Sequence, residues 1–421
     1  MNILFLTENF PPERNAAASR VYERACYWVK WGHKVTVITS APNFPEGKVH
    51  AGYRNHYQVE DRDGIRVVRV KTFIAANEGV ALRTLDFLSF MFTGFLGGLR
   101  QERPDVVVAT SPQFFAAVAG CGLAVAMRRP FVFELSDLWP ASITAVGAMR
   151  DNAGLRLIEK LELFMYRRAA KIVALTRAFK TDLVARGVPA DKVSVVINGV
   201  DLARYSPRPR DLQLARNLGL EDCFAVGYIG THGMAHALER VLDAAELVRD
   251  LPAVRFLFVG SGAAREGLVR EAGRRGLRNV VLVPAQPKEM MPAYWSLCDL
   301  ALVHLKDTPL FRTVIPSKIF EAMAMGRPIL LAAPDGEAAD IVRSSSAGVA
   351  IGPEDPAALA AAVRELYAAP ERVAELSRNA LAAVPLFTRE KQAHDMLKAM
   401  EEALPNAQES LEGFRSASVG K

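Results

Sequence analysis

The stretch "IPSKIFEAMAMGRPIL" runs from Ile315 to Leu330. Pro316 and Ser317 suit the start of a helix, proline in the first turn and serine as a cap. Gly326 suits its end, and Pro328 prevents continuation. The spacing predicts a short helix from about Ser317 to Met325, followed by a buried strand, "PILLAA". A helix feeding a buried strand is the repeating unit of a parallel α/β sheet. One carboxylate, Glu321, sits inside the helix. Phe320 holds the position that a capping box gives to an acid, so Glu321 is not a cap. It lies four residues after Ser317, on the same face. Two readings stand side by side. Glu321 pairs with a neighbouring arginine, Arg312 or Arg327. Or it grips hydroxyls next to an anion held by the amides of residues 315–318 and by Lys318.

The same alternation extends in both directions. "NILFLT", "KVTVITS", "DVVVAT", "FVFEL" and "KIVALT" read as buried strands separated by helical stretches. After residue 205 the series restarts with "CFAVGYIG", "RFLFVG", "VVLVPA", "LALVHL" and "PILLAA". Continuous apolar strands alternating with helices imply parallel sheets covered on both faces. Two series imply two doubly wound domains. The joint is expected near "VVINGVDLARYSPRPR" (Val195–Arg210), where Asn198-Gly199 is a turn signal and prolines follow. This predicts a first domain over 1–200 and a second over 201–387. An amphipathic helix over 388–404 would pack back on the first, and the tail 405–421, poor in apolar residues, reads as disordered. In open parallel sheets ligands bind beyond the carboxyl ends of the strands. Residues just after strands are therefore the candidates.

Composition fits this. The chain has 421 residues, more than one hydrophobic core accommodates, with 50% apolar and 23% charged residues. A net charge of +6 favours anionic partners such as nucleotides, phosphates or an acidic membrane face. It does not point to nucleic acid, because no array of basic and stacking aromatic residues accompanies it. The four cysteines are scattered without a Cys-x-x-Cys, which argues against metal or disulfide roles. The N-terminus reads as a first strand rather than a signal peptide. The longest apolar run, "FLSFMFTGFLGGL" (Phe87–Leu99), is shorter than the ~20 residues of a spanning helix. It is either a buried helix or one dipping into a membrane surface.

Several shorter signals are discounted. Asp61-Arg62-Asp63 precedes the alternating "GIRVVRV" and reads as a turn. His232 and His236 lack the glutamate of His-Glu-x-x-His and a visible third ligand. Gly260-Ser261-Gly262 has Arg265 where a dinucleotide fingerprint needs glycine. No P-loop sequence is present.

The opening stretch resembles the "EAMA-x-G-x-P" element of family-four retaining glycosyltransferases, which have the two-Rossmann-domain (GT-B) architecture. "VINGVD" (Val196–Asp201), "FLFVGSGAAREGL" (Phe256–Leu268) and "MMPAYWSLCDLALVHL" (Met290–Leu305) are similar to that family's elements, in the same order. "LTENFPPERNAAASR", "NFPEGKVHAGYRN" and "ELSDLWP" resemble a bacterial surface-polysaccharide subgroup that includes N-acetyl-L-fucosamine transferases of O-antigen synthesis.

The resemblance implies an α/β fold of two doubly wound Rossmann-like domains facing a cleft. It implies transfer of a sugar, such as an N-acetylated deoxyhexosamine, from a UDP-sugar donor to a lipid-linked (polyprenyl diphosphate) saccharide acceptor, without a metal or other cofactor. Carried over by position, Glu321 would bind the ribose. Arg312, Thr313, Val314, Ile315, Pro316, Ser317 and Lys318 would serve the diphosphate and sugar. Gly230, Thr231, His232 and His236 would face the phosphates from the other side, and Val283 and Pro284 would lie beside the base. On the acceptor side stand Ala17, Ser19, Arg20 and Trp139, with Asp137 orienting the acceptor. Lys318, His236 and Asp137 would be the catalytic groups, with protonated His236 one source of positive charge.

Three elements depart from the family, one being the common N-terminal Gly-Gly loop, replaced here by Ala16-Ala17-Ala18-Ser19-Arg20. Thr313 stands where a second glutamate is usual, and "GTHGMAHALE" lacks the usual arginine and lysine. The implied location is the cytoplasmic face of the inner membrane, peripherally bound through residues 84–103. Rival readings are a nucleotide-sugar 2-epimerase of the same fold and a non-catalytic relative.

Overall fold

The computed structural model describes residues 1–13, 15–43, 47–74, 80–111, 113–137 and 153–405. Trp139 and the tail beyond residue 405 lie outside the described residues.

The chain forms two compact units, one of Met1–Ile197 with the segment from Gln392 onward, the other of Asn198–Lys391. The first is built on eight strands: β1 (Asn2–Leu6), β2 (Lys34–Ser40), β3 (Gln58–Arg62), β4 (Ile65–Val70), β5 (Val106–Thr110), β6 (Phe131–Leu135), β7 (Lys171–Ala174) and β8 (Val193–Val195). Their order is β3-β4-β2-β1-β5-β6-β7-β8. All neighbours are parallel except β3 and β4, an antiparallel hairpin closed by Asp63 and Gly64. Both have positive φ, 55° and 79°, as a two-residue type I′ turn requires. The turn therefore lies at Asp63-Gly64, and Asp61 and Arg62 end a strand. The sheet's Val and Ile runs are buried on both faces, as in any crossover-covered parallel sheet.

The second unit has six parallel strands: β9 (Phe224–Ile229), β10 (Val254–Val259), β11 (Val280–Val283), β12 (Leu300–His304), β13 (Ile329–Ala332) and β14 (Gly348–Ile351). Their order is β11-β10-β9-β12-β13-β14. Each sheet thus reverses its winding once, between β1 and β5 in the first and between β9 and β12 in the second. Such reversals leave a crevice outside the carboxyl ends of the two strands.

The Asn198-Gly199 signal turns out to mean something other than a turn. Residues 196–199 form no turn, and Val200 forms a parallel bridge with Thr388. A Cβ on Gly199 would stand 2.3 Å from the Thr388 carbonyl oxygen, so glycine allows two backbones to approach. The C-terminal helix Arg389–Glu401 buries Ala393, Met396 and Met400 in a core with Phe5, Trp28 and Val196. The Trp28 indole N–H donates to the Ala393 carbonyl at 2.9 Å.

The apolar run Phe87–Leu99 lies within a longer helix, Val80–Leu99. Phe90 is buried, and Met91 and Phe95 pack on the core beside the helix Phe114–Met127. The opposite stripe, Leu82, Leu85, Phe92, Leu96 and Leu99, is exposed, Phe92 at 64% and Leu96 at 54%. Among the described residues no helix is long and apolar enough to cross a membrane.

Candidate active site

The sequence-derived donor residues cluster at the carboxyl edge of the second sheet. β9 and β12 pair over only two residue couples, Leu300 with Val226 and Ala301 with Gly227. Beyond them the segments following the two strands are laced together. The Lys306 amide donates to the Ala235 carbonyl at 3.0 Å. His304 Nδ1 lies 2.7 Å from the His236 carbonyl, and His236 Nδ1 lies 3.2 Å from the His304 carbonyl.

Gly230 opens the segment after β9 at φ 140°, where only glycine is at ease. Thr231 is exposed and its carbonyl accepts from the Tyr228 hydroxyl at 2.8 Å. His232 is fully buried between Tyr228 and Phe258. Neither of its ring nitrogens has a hydrogen-bond partner among the described residues. His236 sits in a separate single turn, Met234–His236, so the two histidines do not share one helical face. Burial and the nearby Lys318 lower His236 to about 4. It is neutral at physiological pH and does not supply the positive charge expected of it. Burial, Arg265 and Lys318 lower His232 to about 4 as well.

Gly260 and Gly262 pack on this segment. A Cβ on Gly260 would fall 1.9 Å from the Gly230 carbonyl oxygen, and one on Gly262 would fall 2.5 Å from that of His232. The Gly-Ser-Gly sequence therefore serves the approach of two loops. Val283 is buried at the end of β11, its carbonyl accepting the Gly260 amide at 3.1 Å, and Pro284 beyond it is exposed.

The stretch 309–326 supplies the rest. Pro309–Arg312 is a single turn, and Arg312 is exposed. The Thr313 hydroxyl donates to the Leu310 carbonyl at 2.7 Å, so the residue replacing the usual acid closes its own turn. Val314, Ile315, Pro316 and Ser317 are half-buried and lead into the helix Lys318–Ala324. Ser317 is at its N-cap in αR geometry and makes no side-chain cap bond, contrary to its expected role. The end is as expected. Gly326 at φ 65° and Arg327 donate their amides to Met323 and Ala322, a Schellman closure. With seven residues the helix has a small dipole, so charge at its start must come from Lys318.

Lys318 Nζ is buried without a hydrogen-bond partner, 3.6 Å from the centroid of the Tyr228 ring. A Cβ on Gly230 would be 3.1 Å from it. Burial lowers this amine to about 7, with Glu321 opposing the shift. Glu321 is half-buried one turn on, and the buried Trp295 indole N–H donates to its Oε2 at 3.4 Å.

In the first unit the described residues expected on the acceptor side lie at the carboxyl edge near the β1–β5 reversal. Ala17, Ser19 and Arg20 are in the first turns of the helix Ala16–Lys30, which Asn15 caps by accepting the Ala18 amide at 2.8 Å. Arg20 is drawn inward, its Nη2 donating to Ser136 Oγ at 2.6 Å and its Nε 3.5 Å from Glu134. The fully buried Glu134, on β6, accepts a hydrogen bond from Arg24 Nη2 at 2.9 Å and forms an ion pair with Arg24 Nη1 at 2.7 Å. Burial pushes its carboxyl up, but Arg24 and Arg20 outweigh that and hold it at about 2. Ser111, just after β5, accepts the amides of Ser136 and Asp137 at 2.8 and 3.3 Å, which fixes the backbone that presents Asp137.

Two acids at this edge escaped the sequence reading. Glu134 was visible only as part of a strand. Glu8 follows β1 after Thr7 and is buried, and burial, Asp86 and Glu13 raise its pKa well above the usual carboxylate range. Its signal in the sequence was an acid just after the first strand.

Comparison with known proteins identifies the assembly of two such units. Residues 15–199 match the Glycosyl transferase 4-like domain and residues 223–369 the Glycosyl transferases group 1 domain. Over 381 residues the chain is 26% identical to WcaI of Escherichia coli (strain K12), a glycosyl transferase named for colanic acid biosynthesis, covering 88% of this chain and 93% of that one. It is 28% identical over 355 residues to the GDP-mannose-dependent alpha-mannosyltransferase of Mycobacterium tuberculosis (strain CDC 1551 / Oshkosh), covering 83% of each. The structure of Anabaena Alr3699/HepE in complex with UDP superposes with a TM-score of 0.69 at 20% identity, covering 96% of this chain and all of that one. At that identity the likeness concerns the fold. The chain is a GT-B glycosyltransferase, an enzyme related to those of polysaccharide biosynthesis.

Proposed function

We propose that this enzyme transfers a sugar, with retention of configuration, from a UDP-sugar to a lipid-linked polyprenyl diphosphate saccharide in surface-polysaccharide synthesis. An N-acetylated deoxyhexosamine is the candidate sugar, by resemblance to the N-acetyl-L-fucosamine transferases. The observation that carries the donor half is the nearness of Lys318 and the His232 ring at the β9–β12 crevice, their buried nitrogens without hydrogen-bond partners among the described residues. Buried polar groups are normally satisfied, so such a cluster asks for a ligand rich in acceptors. A nucleoside diphosphate is such a ligand. UDP is favoured over GDP by the HepE complex, which holds UDP, whereas the mycobacterial relative is named for GDP-mannose.

In this reading Glu321 accepts hydrogen bonds from the ribose hydroxyls, with the Trp295 indole steadying its second oxygen. Ser317, Pro316, Ile315 and Val314 line the diphosphate with their backbone, and Val283 and Pro284 flank the base. The β-phosphate leaves with the electrons of the glycosidic bond. Lys318 stabilises that developing charge, and a phosphate oxygen takes the acceptor proton on the same face of the sugar. Asp137, Ala17, Ser19, Arg20 and Trp139 serve the acceptor. No metal or other cofactor enters the scheme.

A lipid-linked acceptor asks for membrane contact. The exposed stripe Leu82, Leu85, Phe92, Leu96 and Leu99, with Arg83, Arg100 and Arg103 around it, has the composition of an interfacial helix at an acidic cytoplasmic leaflet.

The test is product analysis of purified enzyme with labelled UDP-sugars, with and without polyprenyl diphosphate saccharides. Acceptor-dependent label in the lipid fraction supports the reading. Conversion of the sugar nucleotide without acceptor would indicate an epimerase and overturn it.

A further inference from the structure

The nitrogens at the end of β9 carry less charge than their number suggests. Lys318 Nζ faces the Tyr228 ring from β9 and Gly230 after it, and acts electrostatically on His232, on His236 in the following turn and on His304 at the end of β12. Arg265, from the helix Arg265–Arg274, acts on His232. Glu321, on the same helix, favours the charged form of Lys318. Burial disfavours the charged form of every amine and imidazole here, and these bases also disfavour one another's protonation. His232 and His236, at about 4, are neutral near pH 7, and Lys318, at about 7, is only partly charged. A site that had exchanged this lysine for arginine would hold its charge permanently.

We propose that the pocket formed by Lys318, Tyr228, His232 and His236 takes up a proton as it takes a diphosphate, so that donor capture is coupled to protonation of Lys318. This rests on the reading of the pocket as the donor phosphate site. A doubly charged diphosphate beside Nζ replaces the missing hydration and favours the ammonium. The bound lysine then carries the full proton that the free one shares with solvent. The face of the Tyr228 ring also favours the ammonium form.

Calorimetric titration of the full chain with UDP tests this, run between about pH 7.5 and 9, above the ordinary titration of a terminal phosphate near 6. Each pH is measured in HEPES and in Tris, which differ in heat of protonation. The expected result is a binding heat that differs between buffers by up to one proton's worth. Affinity should fall towards about tenfold per pH unit, the limit for one coupled proton. Lys318→Arg should bind with equal heats in both buffers and a flat pH profile. Lys318→Met, close in length and without charge, should also lose the buffer difference while binding more weakly. Equal heats and flat affinity in the wild type would overturn the coupling and leave the donor site standing. A buffer difference that persists in Lys318→Met would overturn the assignment to this lysine. Absence of binding by UDP, GDP and ADP at every pH would overturn the donor reading and this inference with it.

Discussion

The ammonium nitrogen of Lys318 stands 3.6 Å from the centre of the Tyr228 ring, and that ring is held from its far end by a hydroxyl bond to the Thr231 carbonyl. The aromatic face gives the buried amine electrostatic company. Tyr228→Phe keeps the face and loses only the hydroxyl bond, so UDP affinity should stay within about threefold. Tyr228→Leu loses the face, and affinity should fall about fivefold, near the 1 kcal/mol of such contacts. Equilibrium titration of the two variants separates ring from hydroxyl.

Glu134 is the electrostatic centre of the first unit. Glu134→Gln leaves Arg24 buried without its charge partner, which should lower stability by about 3 kcal/mol or more. The sign of the pH effect follows from the carboxyl being held at about 2. Its contribution is fully present above the unfolded value of about 4.3 and is lost as pH falls through the folded one. Denaturant melts should show the wild type weakening below about pH 4 and the variant largely spared that loss.

The exposed stripe of the helix Val80–Leu99 should act through apolar insertion as well as charge. The pair Phe92→Glu and Leu96→Glu is expected to abolish sedimentation with vesicles containing acidic lipid, leaving thermal stability unchanged because both side chains are exposed. Vesicles of purely zwitterionic lipid should bind the wild type more weakly.

Two glycines give opposite outcomes. Gly199→Ala pushes a methyl against the Thr388 carbonyl and should lower stability by about 2 kcal/mol, as overpacking does. Gly267 is in the helix Arg265–Arg274 with nothing within 4 Å of its Cβ position. Gly267→Ala should therefore raise stability by about 0.5–1 kcal/mol. Thermal unfolding of both variants checks the pair.

What the sequence made legible follows its physics. Runs such as "KVTVITS" and "FVFEL" are buried on both faces and read directly as strands, matching β2 and β6 residue for residue. The three-residue β8 and the partly buried β14 were too short or too mixed to stand out. Asn198-Gly199 misled because a glycine needed for a turn and one needed for backbone approach look alike in one dimension. Ser317 misled because a cap depends on backbone angles. Thr313 and the histidines lie at the carboxyl edge of the second sheet, but the burial of His232 comes from packing by Tyr228 and Phe258. The Glu134 network joins residues more than a hundred positions apart, beyond any local pattern.

The central claim, a nucleotide-sugar donor held by Glu321 and Lys318, is tested most directly by calorimetric titration of UDP into the wild type, Glu321→Ala and Lys318→Met near neutral pH. The account predicts micromolar binding by the wild type and a loss of about tenfold or more in each variant, the worth of hydrogen bonds to a charged group. Undiminished binding by both variants, or no binding by the wild type, would contradict it.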